Sequence, residues 1–86
     1  MQQFDHTVRD PLGIHARPAG LLAKIAKEFP DTEITISRGN ASAKASQLLK
    51  LMGMGIRNGD RITVSAEGPA EKQAIAAMQR FFSENL

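Results

Sequence analysis

The chain has no cysteine, tryptophan or tyrosine among its 86 residues, and its four phenylalanines are its only aromatic residues. The lack of cysteine excludes a disulfide framework, a thiolate nucleophile and any cysteine-based metal site. Two histidines without a cluster of acidic residues supply too few ligands for a metal ion. The sequence therefore predicts no metal and no cofactor.

Long apolar runs and a strong charge excess are also missing. No uninterrupted apolar segment approaches the roughly 20 residues that span a bilayer, and residues 1–12 lack the pattern of a signal peptide. We therefore expect a cytosolic protein that does not insert into membranes. The formal net charge of +2 is too small to indicate nucleic-acid binding. Length and an ordinary globular composition predict one domain over residues 1–86, and we expect a monomer.

The hydrophobic pattern changes its period along the chain and predicts seven elements. Strands are predicted at residues 4–9, 33–37, 41–45 and 61–66, and helices at 16–29, at 46–52 and from Gly68-Pro69 onward. Strands with one apolar face favour an antiparallel sheet. The order strand-helix-strand-strand-helix-strand-helix predicts an α+β open-faced sandwich, in which three helices cover one face of a four-stranded antiparallel sheet.

The same periodicities predict which residues face the core. On the first strand His6 shares the inward face with Phe4 and Val8, so we interpret it as a hydrogen-bonded or partly buried histidine and not as a ligand. The other predicted core positions are Ala19, Leu22, Ile25, Ala26, Phe29, Ile34, Ile36, Ile62, Val64, Ala66, Ile75, Met78 and Phe82.

The stretch GIHARPAG, residues 13–20, places a histidine, an arginine and a proline where a loop becomes a helix. Pro18 fits a first helical turn, since its missing N–H would have no partner there. The free N–H groups of Ala16 and Arg17 and the positive end of the helix dipole favour an anion. His15 offers a nucleophilic imidazole near neutral pH, and the Arg17 guanidinium can bind phosphate oxygens bidentately. This arrangement suits reversible carriage of a phosphoryl group on His15 better than it suits hydrolysis.

The spacing by itself leaves other interpretations open. His15 can be a plain helix cap with Arg17 as a solvated charge, or the two can bind an anionic metabolite noncovalently. Hydrolysis is disfavoured, because the nearest acid, Asp10, is expected to lie apart from His15 across Pro11 and the following turn. A single-strand RNA-binding module is disfavoured because it needs exposed strand aromatics, whereas Phe4 faces inward.

The chain resembles the HPr family, the histidine phosphocarriers of the bacterial sugar phosphotransferase system. The family's pattern Gly-hydrophobe-His-small-Arg-Pro-Ala matches residues 13–19, and residues 48–68 resemble its second helix and the strand ending Ala-Glu-Gly. The resemblance covers essentially the whole chain and implies the same fold. It implies that His15, through Nδ1, accepts phosphate from phosphorylated enzyme I, which phosphoenolpyruvate charges. The phosphate then passes to the enzyme IIA components of sugar permeases.

The resemblance therefore implies a phosphoryl carrier and not a turnover enzyme. A nitrogen-branch or other regulatory member of the family is the alternative. Many members have a regulatory serine at the start of the second helix, and an ungapped reading back from residues 54–56 places Gln47 at that position. Ser46 precedes it by one residue. A slip of one residue would make Ser46 the regulatory serine, but the sequence gives no separate reason for the slip. Regulation by a serine kinase is therefore disfavoured, and we interpret Ser46 as the N-cap of the helix.

A partner-binding surface is predicted on the first two helices. The second helix has more apolar residues than one inward face of under two turns can bury, and lysines surround it, which favours docking of acidic proteins. The resemblance implies the same surface. A helix buried on more than one side, with solvated lysines, is the alternative. The predicted partner-binding residues are Gly20, Leu21, Lys24, Lys27, Leu48, Leu49, Lys50, Leu51 and Met52.

Overall fold

A computed structural model of the chain describes residues 1–86 and confirms the predicted α+β open-faced sandwich. All strand pairs are antiparallel, in the order β1-β4-β2-β3, with three helices packed on the sheet. None of these helices combines the length and apolar character that a membrane span requires. The elements are β1 (Gln2–Thr7), α1 (Ala16–Lys27), β2 (Glu33–Arg38), β3 (Ala41–Lys44), α2 (Leu48–Gly53), β4 (Arg61–Glu67) and α3 (Glu71–Asn85).

The core lies between the sheet and the helices and contains 19 buried hydrophobic residues. Strand periodicity predicts its sheet side correctly, since alternate residues of a strand point to the same face. Phe82 of α3 is fully buried, and its ring meets Phe4 edge to face at 5.9 Å and Phe81 at 6.0 Å. This packing holds α3 against β1. The predicted sheet positions Ile34, Ile36, Ile62, Val64 and Ala66 are all buried.

The end of α3 reaches the loop that precedes α1. The N–H groups of Arg9 and Asp10 both donate to the main-chain oxygen of Leu86, at 2.5 and 3.2 Å. Val8 leaves the regular ladder of β1, and its N–H donates to the carbonyl of Asp60 at 2.9 Å. β1 therefore ends two residues earlier than predicted, and the chain after it is held by both α3 and the turn before β4.

Two helix starts were wrongly predicted. α2 begins at Leu48 with Gln47 at the N-cap, and the side chain of Gln47 accepts the Lys44 N–H at 3.1 Å. Ser46 is therefore not the N-cap of α2, because the turn that Gln47 closes delays the helix. α3 begins at Glu71, so Pro69 lies before its first turn, in a turn where the Glu71 N–H donates to the Gly68 carbonyl at 3.2 Å.

The segment between α2 and β4 is held by a charged network. The Asp60 carboxylate accepts the main-chain N–H of Arg57 at 2.9 Å and the guanidinium of Arg38 at 3.0 Å. Arg38 also donates to the Met54 carbonyl at 2.6 Å. The hydrogen bond from the Arg57 N–H, and after it the hydrogen bond from Arg38, lower the pKa of Asp60 below its ordinary value and outweigh the opposing effect of burial. The network fixes the segment containing Ile56, which supports the candidate site.

Candidate functional site

A tight turn, residues 10–13, prepares the position of His15. The Gly13 N–H donates to the Asp10 carbonyl at 3.0 Å, and the Leu12 N–H donates to Asp10 Oδ1 at 2.8 Å. Gly13 has φ +66°, and a Cβ there would lie 2.1 Å from the Ile56 carbonyl oxygen. Only glycine fits this conformation and this close approach without strain. The same Ile56 oxygen accepts the N–H of the buried Ile14 at 3.1 Å.

His15 occupies the N-cap position of α1, where the sequence predicts it. Its backbone is extended, with φ −108° and ψ −170°, and its carbonyl accepts the Ala19 N–H at 3.0 Å. Its side chain makes no capping hydrogen bond and is 36% exposed. His15 therefore caps the helix by its position, as the alternative interpretation also has it, but its imidazole does not act as a hydrogen-bonding cap. The ring is at the surface, where a second molecule can reach it.

The start of α1 presents unpaired donors beside this ring. The N–H groups of Ala16 and Arg17 have no acceptor within the chain, and Pro18, buried in the first turn, has no N–H to offer. The first turn contains no acidic residue. The Arg17 side chain forms no ion pair or hydrogen bond. Free amides, the helix dipole and an unpaired guanidinium together favour an anion here.

The ring lines a small cavity of about 130 Å³ between the loop that precedes α1, α1 itself and α3. Its lining residues are Asp10, His15, Arg17, Pro18, Leu21 and Asn85. Asp10 Oδ1 lies 4.0 Å from His15 Nε2. The expectation that Asp10 lies apart from His15 is wrong, because the turn closed at Gly13 folds the aspartate back toward the imidazole.

Sequence reasoning missed two residues of this cavity. For Asp10 a signal existed, since Asp-Pro favours a turn in which the aspartate side chain bonds a main-chain N–H nearby. For Asn85, 70 positions beyond His15 in the sequence, no local signal existed; its amide donates to the Phe81 carbonyl at 3.1 Å. No three His, Asp or Glu side chains lie close enough together to hold a metal ion.

The predicted partner-binding residues are exposed, with one exception. Leu49 is 82% exposed, and Leu21, Leu48 and Met52 are between 37% and 39% exposed. Leu51 is completely buried, so its assignment to this surface is wrong: it is the residue that α2 uses to pack on the core. Gly20, Lys24, Lys27 and Lys50 are exposed.

Leu12, which was not predicted, is 72% exposed in the turn before His15. It adds a large apolar side chain to the exposed leucines of α1 and α2. We use the term docking surface for Leu12, Gly20, Leu21, Lys24, Lys27, Leu48, Leu49, Lys50 and Met52.

Ser46 and His6 lie outside the cavity around His15. Ser46 is exposed and lines a different opening together with Lys27 and Lys44. His6 packs its ring against Phe82 at 5.3 Å, and its Nε2 is buried without a hydrogen-bond partner. The prediction of a partly buried His6 is confirmed, which leaves His15 as the more accessible imidazole of the chain.

Known proteins resemble this chain in sequence and in structure. The family model PTS-HPr, described as the PTS HPr component phosphorylation site, matches residues 2–84. Phosphocarrier protein HPr of Mycoplasma genitalium is 35% identical over 85 residues, which are 99% of this chain and 97% of that protein. HPr of Buchnera aphidicola is 41% identical over 83 residues, 96% of each chain. A histidine-containing phosphocarrier of Mycoplasma superposes with a TM-score of 0.91 at 34% identity, covering 96% of this chain and 93% of that one.

Proposed function

Since this chain belongs to the HPr family of phosphocarriers of the phosphotransferase system, we propose that His15 carries the phosphoryl group. The donor is phosphorylated enzyme I, and the acceptors are enzyme IIA components of sugar permeases. One observation carries the assignment: a partly exposed imidazole lies at the start of α1 beside two unpaired amides and an unpaired guanidinium. These donors can bind the negative oxygens of a phosphoryl group attached to His15.

The transfer step uses the chain's own atoms in a simple way. The lone pair of Nδ1 attacks phosphorus, and a P–N bond forms while the bond from phosphorus to the donor atom of enzyme I breaks. The electron pair of that bond leaves with the donor atom. The N–H groups of Ala16 and Arg17, with the Arg17 guanidinium, stabilise the negative phosphoryl oxygens. Delivery to enzyme IIA is the same displacement with His15 as the leaving group.

The chain is proposed to act as a carrier and not as a turnover enzyme. After one acceptance it holds a covalent phosphate and regains its starting state only by giving that phosphate to a second protein. Phosphoenolpyruvate is a cytoplasmic metabolite, so the proposal includes a cytoplasmic location. It also includes action as a single domain, because the sheet and the helices share one core, and as a monomer, which the sequence predicts.

The docking surface supports recognition of the two kinds of partner. Leu21 lines the cavity beside His15, further leucines are exposed in the preceding turn and on α2, and Lys24, Lys27 and Lys50 lie exposed on α1 and α2. An acidic partner surface would be attracted by these lysines and would cover the leucines. The lysines would mainly accelerate encounter, so added salt is expected to slow the transfer.

The experiment that tests this function is incubation with phosphoenolpyruvate and enzyme I, followed by intact-protein mass spectrometry. A mass gain of one phosphoryl group that is labile in acid and stable in alkali supports the proposal. A noncovalent anion-binding domain would gain no mass. Subsequent loss of the group to a panel of enzyme IIA proteins would separate a sugar-uptake member from a nitrogen-branch member.

Replacing Arg17 with alanine is expected to leave a folded protein whose phosphoryl acceptance is about 100-fold slower, the usual effect of losing one transition-state donor. The guanidinium is exposed and has no partner in the chain, so the midpoint of thermal unfolding is expected to stay unchanged. Stopped reactions analysed by mass spectrometry give the rate. Arg80→Ala, an exposed arginine on α3, is the matched control. Equal rates in the two variants would contradict the role of Arg17.

Replacing Leu49 with aspartate is expected to raise the KM for enzyme I at least about tenfold, since it removes a contact residue and adds a charge opposed to an acidic partner. Leu49 is 82% exposed, so the fold is expected to persist. Ala76→Asp adds the same charge to an exposed position of α3 and serves as control. An unchanged KM for Leu49→Asp would show that Leu49 does not contact enzyme I.

A further inference from the structure

We propose that Asp10 is a positioning residue for phosphoryl transfer, which holds the proton on Nε2 of His15 and pairs with the ring once Nδ1 is phosphorylated. This inference rests on the proposed function and adds to it a carboxylate outside the Gly-Ile-His-Ala-Arg-Pro-Ala pattern. The observation behind it is the 4.0 Å separation of Asp10 Oδ1 from His15 Nε2. The carboxylate faces the nitrogen opposite the one that would take the phosphate.

The main chain and the turn hold this carboxylate in place. Oδ1 accepts the Leu12 N–H at 2.8 Å, the carbonyl of Asp10 accepts the Gly13 N–H at 3.0 Å, and its own N–H donates to Leu86 at 3.2 Å. The Asp10 side chain is 25% exposed. The carboxylate is held by one of these hydrogen bonds and the Asp10 backbone by the other two. A side chain oriented in this way loses little conformational entropy when it pairs with the ring, and contacts of this kind tighten when the reacting complex forms.

The charge balance of the transfer step explains what Asp10 contributes. A neutral imidazole with its proton on Nε2 has its lone pair on Nδ1. When that pair forms the P–N bond and Nε2 keeps its proton, the ring gains one positive charge. A carboxylate beside Nε2 stabilises this charge and disfavours loss of the proton. When the phosphate leaves, Nδ1 recovers its electron pair and the ring is neutral again.

The other groups around the ring cannot stabilise its positive charge as Asp10 can. Arg17 of α1 is cationic and opposes a positive ring, although it attracts the phosphoryl oxygens. From α3 the cavity receives the neutral amide of Asn85, and the main-chain oxygen of Leu86 is occupied by the N–H groups of Arg9 and Asp10. Asp10 is therefore the only carboxylate side chain among the residues that line the cavity.

The test compares the wild-type chain with Asp10→Asn after phosphorylation by enzyme I and phosphoenolpyruvate. Asparagine can still accept the Leu12 N–H through its side-chain oxygen, so the variant removes charge while keeping the turn. The ³¹P resonance of the phosphohistidine is followed as a function of pH. A carboxylate favours the protonated ring, so we expect the titration midpoint in Asp10→Asn to fall by about 0.5 to 1 pH unit. We also expect acceptance to be about fivefold slower at neutral pH.

Controls separate this role from a structural one. Asp10→Glu restores a carboxylate and is expected to return the titration midpoint at least halfway to the wild-type value. Asp31 is an exposed carboxylate outside the cavity, so Asp31→Asn is expected to leave the midpoint unchanged. A midpoint in Asp10→Asn equal to that of the wild type overturns the role of Asp10 and leaves the carrier function standing. A wild-type chain that accepts no phosphoryl group overturns both.

Discussion

Replacing His15 with alanine is expected to abolish the phosphoryl mass gain and to leave the fold intact. The imidazole supplies the only nucleophilic atom in the proposed step, so residual acceptance should be below about one thousandth of the wild-type rate. The side chain is 36% exposed and makes no capping hydrogen bond. The free energy of unfolding should therefore change by about 0.5 kcal/mol or less. Mass spectrometry after incubation with enzyme I measures the first quantity, and denaturant unfolding measures the second.

The second histidine of the chain provides the matched control. His6 is packed against Phe82, and its Nε2 is buried. His6→Gln is expected to accept one phosphoryl group at close to the wild-type rate, with a change in stability only. A His15→Ala protein that still gains the group, or a His6→Gln protein that does not, would show that the phosphate is carried elsewhere.

The fold could be predicted from the sequence because each strand and helix repeats its apolar residues with its own period. Ile62, Val64 and Ala66 alternate along β4 and are all buried, as a half-buried strand requires. His15 and Pro18 likewise appear where the sequence predicts a helix start, since proline restricts the backbone locally. These features depend on neighbours within a few residues, which is the range over which sequence patterns are informative.

The errors have a different physical origin. Ser46 is a good capping residue, yet α2 starts later because Gln47 closes a turn onto Lys44, a choice that depends on where β3 ends. Leu51 is buried because a helix of six residues needs one contact with the core, and tertiary packing decides which residue makes it. Asp10 lies close to His15 because the turn that was expected to separate the two residues closes at Gly13 and brings the aspartate back to the ring.

This turn is most sensitive to substitution at Gly13, and Gly13→Ala is expected to destabilise the protein by about 3 kcal/mol. Two costs combine. The φ of +66° is unfavourable for alanine, and the new Cβ would lie 2.1 Å from the Ile56 carbonyl oxygen and 2.7 Å from Arg57 Cα. These are backbone atoms that cannot rotate away, and Ile56 is also the acceptor for the Ile14 N–H. The variant should therefore displace His15, and acceptance of phosphate by its folded fraction should also slow.

Two other glycines separate these costs. Gly39 has φ +60°, and a Cβ added there would have no atom within 4 Å, so Gly39→Ala isolates the backbone cost and should destabilise by about 1 kcal/mol. Gly20 lies inside α1 with open space around it, so Gly20→Ala should be stabilising by about 0.5 to 1 kcal/mol. Denaturant unfolding of the three variants ranks them. If Gly13→Ala lowers the free energy of unfolding no more than Gly39→Ala does, the backbone at Ile56 can shift to accommodate the added Cβ. The geometry of His15 would then not depend on the contact between Gly13 and Ile56.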